Sequence, residues 1–258
     1  MTLTTDFGLA DPYVAEMKGT ILSICPNAVI VDVTHNVEKF SIRMGAYMLA
    51  SAAPYFPAGT VHVAVVDPGV GTQRRPIIMQ TEHSVFVGPD NGLLILAAEA
   101  QGIKHMYKID NPRFMLPHVS STFHGRDIFA PAAAHIANGV SMDEFGPEIS
   151  DLTQATFTKV KRNKETIVGE VLHVDGFGNI ITNIRPKDIK HIQEGNLQAE
   201  LPNAKLHLKL AKTYAEAKPE EPVALIGSHN YLELALNQGS AAAKFQTKAG
   251  DKISISPA

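Results

Sequence analysis

An apolar, largely β-branched run, Val61 to Val66, ends abruptly at Asp67-Pro68-Gly69. Continuous apolar character bounded by turn residues marks a strand buried on both faces. Such a strand belongs in a sheet covered by helices, where ligands collect at the carboxyl ends of the strands. Here that end carries a carboxylate. Arg74 and Arg75 return across a loop containing Gly69 and Gly71, where the next strand, Pro76–Gln80, should begin. An acid and a guanidinium facing each other over glycines form either a salt-bridged loop staple or part of a reactive site.

The surrounding sequence repeats the alternation. The opening M-T-L-T-T reads as a short strand running into a loop with Asp6 and Gly8. Asp11 is placed to cap a helix with Pro12 at its first position. Val14, Met17, Ile21 and Ile24 have helical spacing, and Pro26 stops the pattern. Ala28–Val33 reads as a strand, and Ser41–Ala53 as a helix ended by Pro54. Ser84–Val87 reads as a further strand. G-P-D-N-G-L-L (Gly88–Leu94) leads into a helix through Ala100 closed by Gly102, and Ile128–Asn138 into one capped by Gly139. Strands alternating with helices of ~12 residues predict an N-terminal three-layer α/β domain with a mostly parallel sheet, over residues 1–150. The first strand is not followed by G-x-G-x-x-G, so a dinucleotide cofactor is not expected.

The pattern changes after Ser150. Residues 151–165, with K-V-K-R-N-K, read as a polar linker. From 166 to 258 short strands alternate with turn signals: Thr166–Val174, Asn179–Ile184, Leu197–Glu200, Lys205–Leu208, Pro222–Ile226, Leu232–Ala235 and Lys252–Ser256. That is a smaller all-β domain, a barrel or a sandwich. The formal net charge of −3 offers no basic field for nucleic acid or an anionic membrane. The single cysteine, Cys25, excludes a disulfide framework and reads as a small core residue. No cationic-then-apolar leader opens the sequence and no run nears the ~18 apolar residues of a membrane span, so a cytoplasmic protein is expected.

Four places carry candidate chemistry. Asp6 ends a strand, where a carboxylate can accept both hydroxyls of a ribose; Asp11 is explained by capping. T-F-H-G-R-D (Thr122–Asp127) ends a long loop, and long ordered loops are disproportionately functional. There His124 sits beside Gly125, which leaves open space at an imidazole able to titrate near neutrality. Arg126 and Asp127 read as an ion pair and a helix cap. In V-D-G-F-G-N (Val174–Asn179) the glycines are ordinary hairpin chemistry, but Asp175 and Asn179 bracket Phe177 and suit the edge and face of a purine. Ser228, Glu233 and Asn237 fall on strand or loop positions near the end. The histidines lack H-x₃-H or H-E-x-x-H spacing, so no metal site is expected.

Taken together, T-D-F-G…D-P-Y-V-A-E-M-K-G, V-V-D-P-G-V-G-T-x-R-R, G-P-D-N-G-L-L, T-F-H-G-R-D, V-D-G-F-G-N-I-I-T-N and S-x-N-Y-L-E-L-A-x-N-x-G-S-A resemble the S-adenosyl-L-methionine hydroxide adenosyltransferases, relatives of fluorinase and chlorinase. The blocks occur in the family's order from residue 2 to about 255. The resemblance implies an N-terminal α/β domain, a C-terminal β-barrel, and a homotrimer with the substrate at the subunit interface. It implies hydrolysis of S-adenosylmethionine to adenosine and L-methionine, with no cofactor. The water-activating trio falls on Asp67, Arg74 and His124, and the ribose-binding aspartate on Asp6. Asp175 and Asn179 match adenine-side residues, and Tyr214 an aromatic near the adenine. Asp11, Ser228 and Glu233 would face the methionine end. Halide-using relatives carry a tyrosine in place of Asp67, so the resemblance favours hydroxide as nucleophile. A halogenase, a non-catalytic S-adenosylmethionine or adenosine binder and a phosphorylase-like enzyme are the competing expectations; the last would need a phosphate nest that the chain lacks.

Overall fold

The computed structural model describes residues 1–155, 157, 159–190, 192 and 196–258. They divide into two compact units, Met1–Ala155 and Thr156–Ala258. Of the stretch expected as linker, Asp151–Ala155 belongs to the first unit, Lys161–Asn163 forms a strand of the second, and Thr156 and Thr158 lie outside the described residues.

The first unit is a sandwich of helices around one sheet. Its strands are β1 (Thr2–Thr5), β2 (Val31–Thr34), β3 (Val61–Val65), β4 (Pro76–Thr81), β5 (Val85–Pro89) and β6 (Ile103–Lys108), in the order β2-β1-β3-β5-β4-β6. Pairing is parallel from β2 through β5, while β4 runs antiparallel to both β5 and β6. Successive side chains of β3 point to opposite faces. Val61, Val63 and Val65 join one core with Leu3, Met17, Ile21, Phe129 and Ala133, and Ala64 and Val66 join another with Leu49, Phe86, Leu93 and Ala97. Each such buried valine contributes about 1.5–3 kcal/mol, and only a helix layer on each face allows both sets to be buried. Helices α1 (Tyr13–Ile24) and α4 (Ala130–Ala137) supply one layer, α2 (Ile42–Ala52) and α3 (Ile95–Ala100) the other.

Local chemistry accounts for most boundaries. Ser41 caps α2 by accepting from the Met44 amide, and Gly102 and Gly139 end α3 and α4 with φ of +72° and +89°. Asp11 does not cap α1. The N-cap is Pro12, with no side-chain cap bond, because the proline is held in a helical-type turn just ahead of the helix, and Asp11 is left exposed. The expected Ala28–Val33 strand is shifted to β2, and Ile128–Asn138 shortens because a π-turn, Gly125–Phe129, precedes α4.

The second unit is a closed barrel. Strands β8 (Thr166–Val174), β9 (Ile180–Thr182), β10 (Asn196–Leu201), β11 (Ala204–Ala211), β12 (Pro222–Ile226), β13 (Leu232–Leu236) and β14 (Lys252–Pro257) form a ring, β14-β10-β11-β12-β13-β9-β8, shut where β14 pairs with β8. β7 (Lys161–Asn163) adds to β8 outside the ring. Ile167, Leu197, Leu208, Ala224, Leu232, Leu234, Ile253 and Ile255 pack the interior. Alternate residues such as Glu233 therefore emerge on the other face. A short helix, α5 (Ala241–Phe245), follows β13, capped by Ser240.

Candidate functional site

Register places the first acids. β1 and β3 are parallel neighbours with Thr5 opposite Val65, so Asp6 and Asp67 leave the sheet side by side at its carboxyl edge. A cavity of about 450 Å³ opens there, lined by Asp6, Asp67 and His124 among polar groups and by Phe7, Tyr13 and Phe123 among aromatic ones. The three rings meet edge to face, with centroids 5.3–6.0 Å apart. Asp6 accepts from the Phe40 amide at 2.9 Å, and the Lys39 ammonium donates to the Asp6 carbonyl. Phe40 holds φ at +66° without being glycine, the kind of backbone outlier that gathers at functional sites.

Arg74 joins the other two members of the trio. Its Nε donates to Asp67 Oδ1 at 3.1 Å, its Nη2 to Asp67 Oδ2, and Nη2 also reaches His124 Nδ1 at 2.9 Å. The side chains of Arg74 and Asp67 are 6% and 5% exposed. Asp67 and His124 line the cavity while Arg74 backs them against the Phe129 ring, 5.3 Å away. The approach of the two loops depends on Gly71: at φ +77° its missing Cβ would sit 2.3 Å from the Ser121 carbonyl. A guanidinium has only donors, so Nδ1 of His124 is an acceptor and the neutral ring carries its proton on Nε2. Burial, then the Arg74 charge, lowers the His124 pKa, against the opposing pull of Asp67 and Asp127. The ring is therefore neutral at pH 7.

Several expectations are revised. Gly125 does not open space beside His124; it is packed 3.1–3.4 Å from Phe123, Met17 and Phe7 at its Cβ position. Asp127 does not cap α4, whose N-cap is Phe129; its carboxylate accepts from the Ser120 amide at 2.8 Å and pairs with Arg126. Arg75 is the staple that the sequence left open: it binds Asp90 through Nε and Nη2 and Asp151 through Nη1. Neighbours in sequence, Arg74 and Arg75 serve opposite purposes. Lys39 and the aromatic triad were not anticipated from N-V-E-K-F or from single aromatics, which carry no signature of their own.

The barrel unit holds a second cluster. Asp175 Oδ1 accepts from the amides of Phe177 and Asn179, and Oδ2 from the Asn179 side-chain amide, all at 2.9 Å. These bonds fold the turn so that Phe177 is 83% exposed. Tyr214 donates to Glu233 Oε1 at 2.6 Å. Glu233 is 7% exposed; burial raises its pKa, with the Tyr214 hydrogen bond opposing and the Asp175 charge adding. Ser228 is exposed on the turn Gly227–Tyr231. Arg185 clamps that turn through the His229 and Asn230 carbonyls and the Tyr231 hydroxyl. Asp6, Asp67, Arg74 and His124 thus share one site within the first unit, Asp175, Asn179, Tyr214 and Glu233 a cluster within the second, and Asp11 and Ser228 stand on exposed turns.

A charged trio at the carboxyl edge of an α/β sheet, opening on a ligand-sized cavity and followed in the chain by a β-barrel, defines an enzyme acting on a small molecule. The chain belongs to the SAM hydroxide adenosyltransferase family: the family's N-terminal domain profile matches residues 1–146 and its C-terminal domain profile residues 169–254. It is 37% identical to an (R)-S-adenosyl-L-methionine hydrolase of Salinispora tropica, over 99% of this chain and 97% of that one. It is 38% identical to another from Thermus thermophilus, over 97% of each. The Nocardia brasiliensis fluorinase is more distant, 28% identical over 97% of this chain and 94% of its own. An uncharacterized conserved protein from Thermotoga maritima superposes with a TM-score of 0.90 at 36% identity, covering 99% of both chains.

Proposed function

We propose that the chain hydrolyses S-adenosyl-L-methionine to adenosine and L-methionine by attack of water on the ribose C5′. The observation that carries this reading is the Asp67–Arg74–His124 constellation on the cavity wall. The sulfonium leaves as a neutral thioether and needs no general acid; the difficulty is a weak nucleophile. With His124 Nδ1 engaged by Arg74, its Nε2–H holds the water as donor. Asp67 keeps unoccupied lone pairs on both oxygens and accepts the water proton as the O–C5′ bond forms and the C5′–S bond breaks. Placement behind C5′ supplies up to ~7–11 kcal/mol and the base ~10²–10⁴-fold, so placement dominates. Asp6 suits the ribose hydroxyls, Asp175, Asn179 and Tyr214 the adenine, and Asp11, Ser228 and Glu233 the methionine end. The reaction requires no cofactor and no metal.

Halide is disfavoured as nucleophile, because a second anion beside a carboxylate only 5% exposed is repelled in a desolvated site. The family resemblance supports a homotrimer with the substrate at the subunit interface, a prediction for sedimentation equilibrium. A cytoplasmic location is the reading of the sequence's lack of a membrane-length apolar run, and no described helix is long and apolar enough to cross a membrane. Chromatography after incubation with S-adenosylmethionine, with and without chloride or fluoride, tests the reaction. Adenosine and methionine in equal amounts are expected. 5′-Halo-adenosine would make the chain a halogenase, and tight binding without methionine release a sensor. Activity should fall on the acid side with a midpoint below 6.5, because a proton on His124 Nδ1 displaces the Arg74 donor.

A further inference from the structure

His124 is held from one side by Arg74, and Asp127 lies three residues on in the π-turn that follows it. Asp127 is fully buried, yet it carries a charge and lines no part of the cavity. Its carboxylate accepts from the Ser120 amide at 2.8 Å and from Arg126 Nε at 2.6 Å. Its amide donates to the Phe123 carbonyl, and its carbonyl accepts from the Leu116 amide. One residue thus ties both ends of the Leu116–Phe123 loop. Arg126 carries the tie outward: its Nη1 donates to Glu16 Oε2 at 2.7 Å on α1, and its guanidinium lies 5.1 Å from the Phe123 ring. Burying a carboxylate is costly unless it is paired and hydrogen-bonded. A loop that only needed closing could use neutral groups.

We propose that Asp127, held by Arg126 and Glu16, is a positioning residue that fixes the His124 ring with Nδ1 toward Arg74 and Nε2 toward the cavity. It never touches substrate and acts through His124. The charges that face His124 are Arg74 and Asp67 from the loop after β3 and Asp127 from its own turn, with Arg126 and Glu16 behind Asp127 and Lys39 on the same cavity. Removing the Asp127 anion strips away one of the two negative charges that favour the protonated ring and lowers the His124 midpoint; loss of aim is a separate effect, read as a population of the Nδ1–H tautomer once the Arg74 contact is broken.

This inference rests on the hydrolase reading, and the test separates the two. Asp127→Asn keeps an acceptor for the Ser120 amide and drops the charge; Glu16→Gln leaves Asp127 in place and weakens Arg126. Steady-state kinetics with S-adenosylmethionine should show kcat lowered by ~10–10²-fold in Asp127→Asn, the scale for a misaligned catalytic group, with KM within about threefold of wild type. Long-range proton–nitrogen spectra of His124, identified by its loss in His124→Gln, should show the Nε2–H tautomer in wild type and an added Nδ1–H population in Asp127→Asn. Wild-type kcat per folded molecule together with an unchanged His124 tautomer overturns the proposal. Should Asp127→Asn fail to fold, Glu16→Gln decides: an Nδ1–H population at His124 together with a lowered kcat supports positioning, and the wild-type tautomer with wild-type kcat overturns it. If wild type releases no adenosine the hydrolase reading fails, while the His124 spectra still report on positioning.

Discussion

Two histidines of the first unit are each held through Nδ1 and have different fates. The His35 ring has Nδ1 2.8 Å from the Thr5 hydroxyl and Nε2 3.0 Å from Asp32 Oδ1, and Asp32 is further paired with Lys18. Hydroxyl, imidazole and carboxylate in a row have the composition of a hydrolytic triad. Yet Thr5 and His35 are both buried, and the two ring nitrogens face Thr5 and Asp32 rather than a cavity. His124 has one nitrogen committed to Arg74 and leaves the other to a cavity. The comparison teaches that a reactive imidazole is recognised by the nitrogen its neighbours leave over. His35 instead steadies the site from behind: Thr5 Oγ1 also accepts from the Phe7 amide, and the His35 carbonyl accepts from Gly8, which sets the loop carrying Asp6.

The largest effect should fall on the open trio. Asp67→Ala and His124→Ala should each lower kcat by roughly 10²-fold or more while calorimetry shows near-normal S-adenosylmethionine binding. Asp67→Ala also strands the buried Arg74, a loss of the order of 3–5 kcal/mol, so Asp67→Asn is the companion variant and stability is measured beside rate. Wild-type turnover in these variants would erase the distinction between the two histidines.

His62 sharpens the contrast from the sealed side. It is fully buried on β3, stacked on Phe86 at 5.0 Å, with Nδ1 2.7 Å from the Thr2 hydroxyl. Burial lowers its pKa from 6.5 to about 4. The unfolded chain therefore binds a proton that the folded one refuses: the contribution is complete above pH 6.5 and is lost as pH falls toward 4. The size follows from the shift, about 3 kcal/mol. Urea unfolding between pH 7 and 4 should show a steeper loss in wild type than in His62→Gln, which retains a polar atom for Thr2. Identical slopes would show that His62 does not resist protonation.

What was legible in the chain follows the same physical divide. Val61–Val66 announced a strand because both faces are buried, and Ser41, Gly102 and Gly139 announced helix ends because each supplies a cap or a positive φ that other residues supply poorly. β6 escaped because I-K-H-M-Y-K lies at the sheet's edge and is only partly buried. The π-turn before α4 escaped because its shape comes from tertiary bonds of Asp127 and Arg126 rather than from local propensity. Asp67, Arg74 and His124 were named through family resemblance. Spacing alone could not join residues fifty positions apart, nor tell Arg74 from Arg75, whose roles are set by which carboxylate each one meets.

The smallest effect tests the sealed row itself. Thr5→Val preserves shape while removing the hydroxyl, so it deletes the contact to His35 Nδ1 and the acceptor for the Phe7 amide without opening a cavity. A buried acceptor left unsatisfied costs about 1–3 kcal/mol, and the expected result is a lower urea midpoint at unchanged slope. Since Thr5 meets no substrate, kcat per folded molecule should stay within about threefold of wild type, any change entering through Asp6 as a raised KM. A hundredfold fall in kcat with an unmoved urea midpoint would place Thr5, His35 and Asp32 in the chemistry. Occlusion would then not be what separates the two histidines, and the proton path would have to run through the back of the sheet rather than across the cavity.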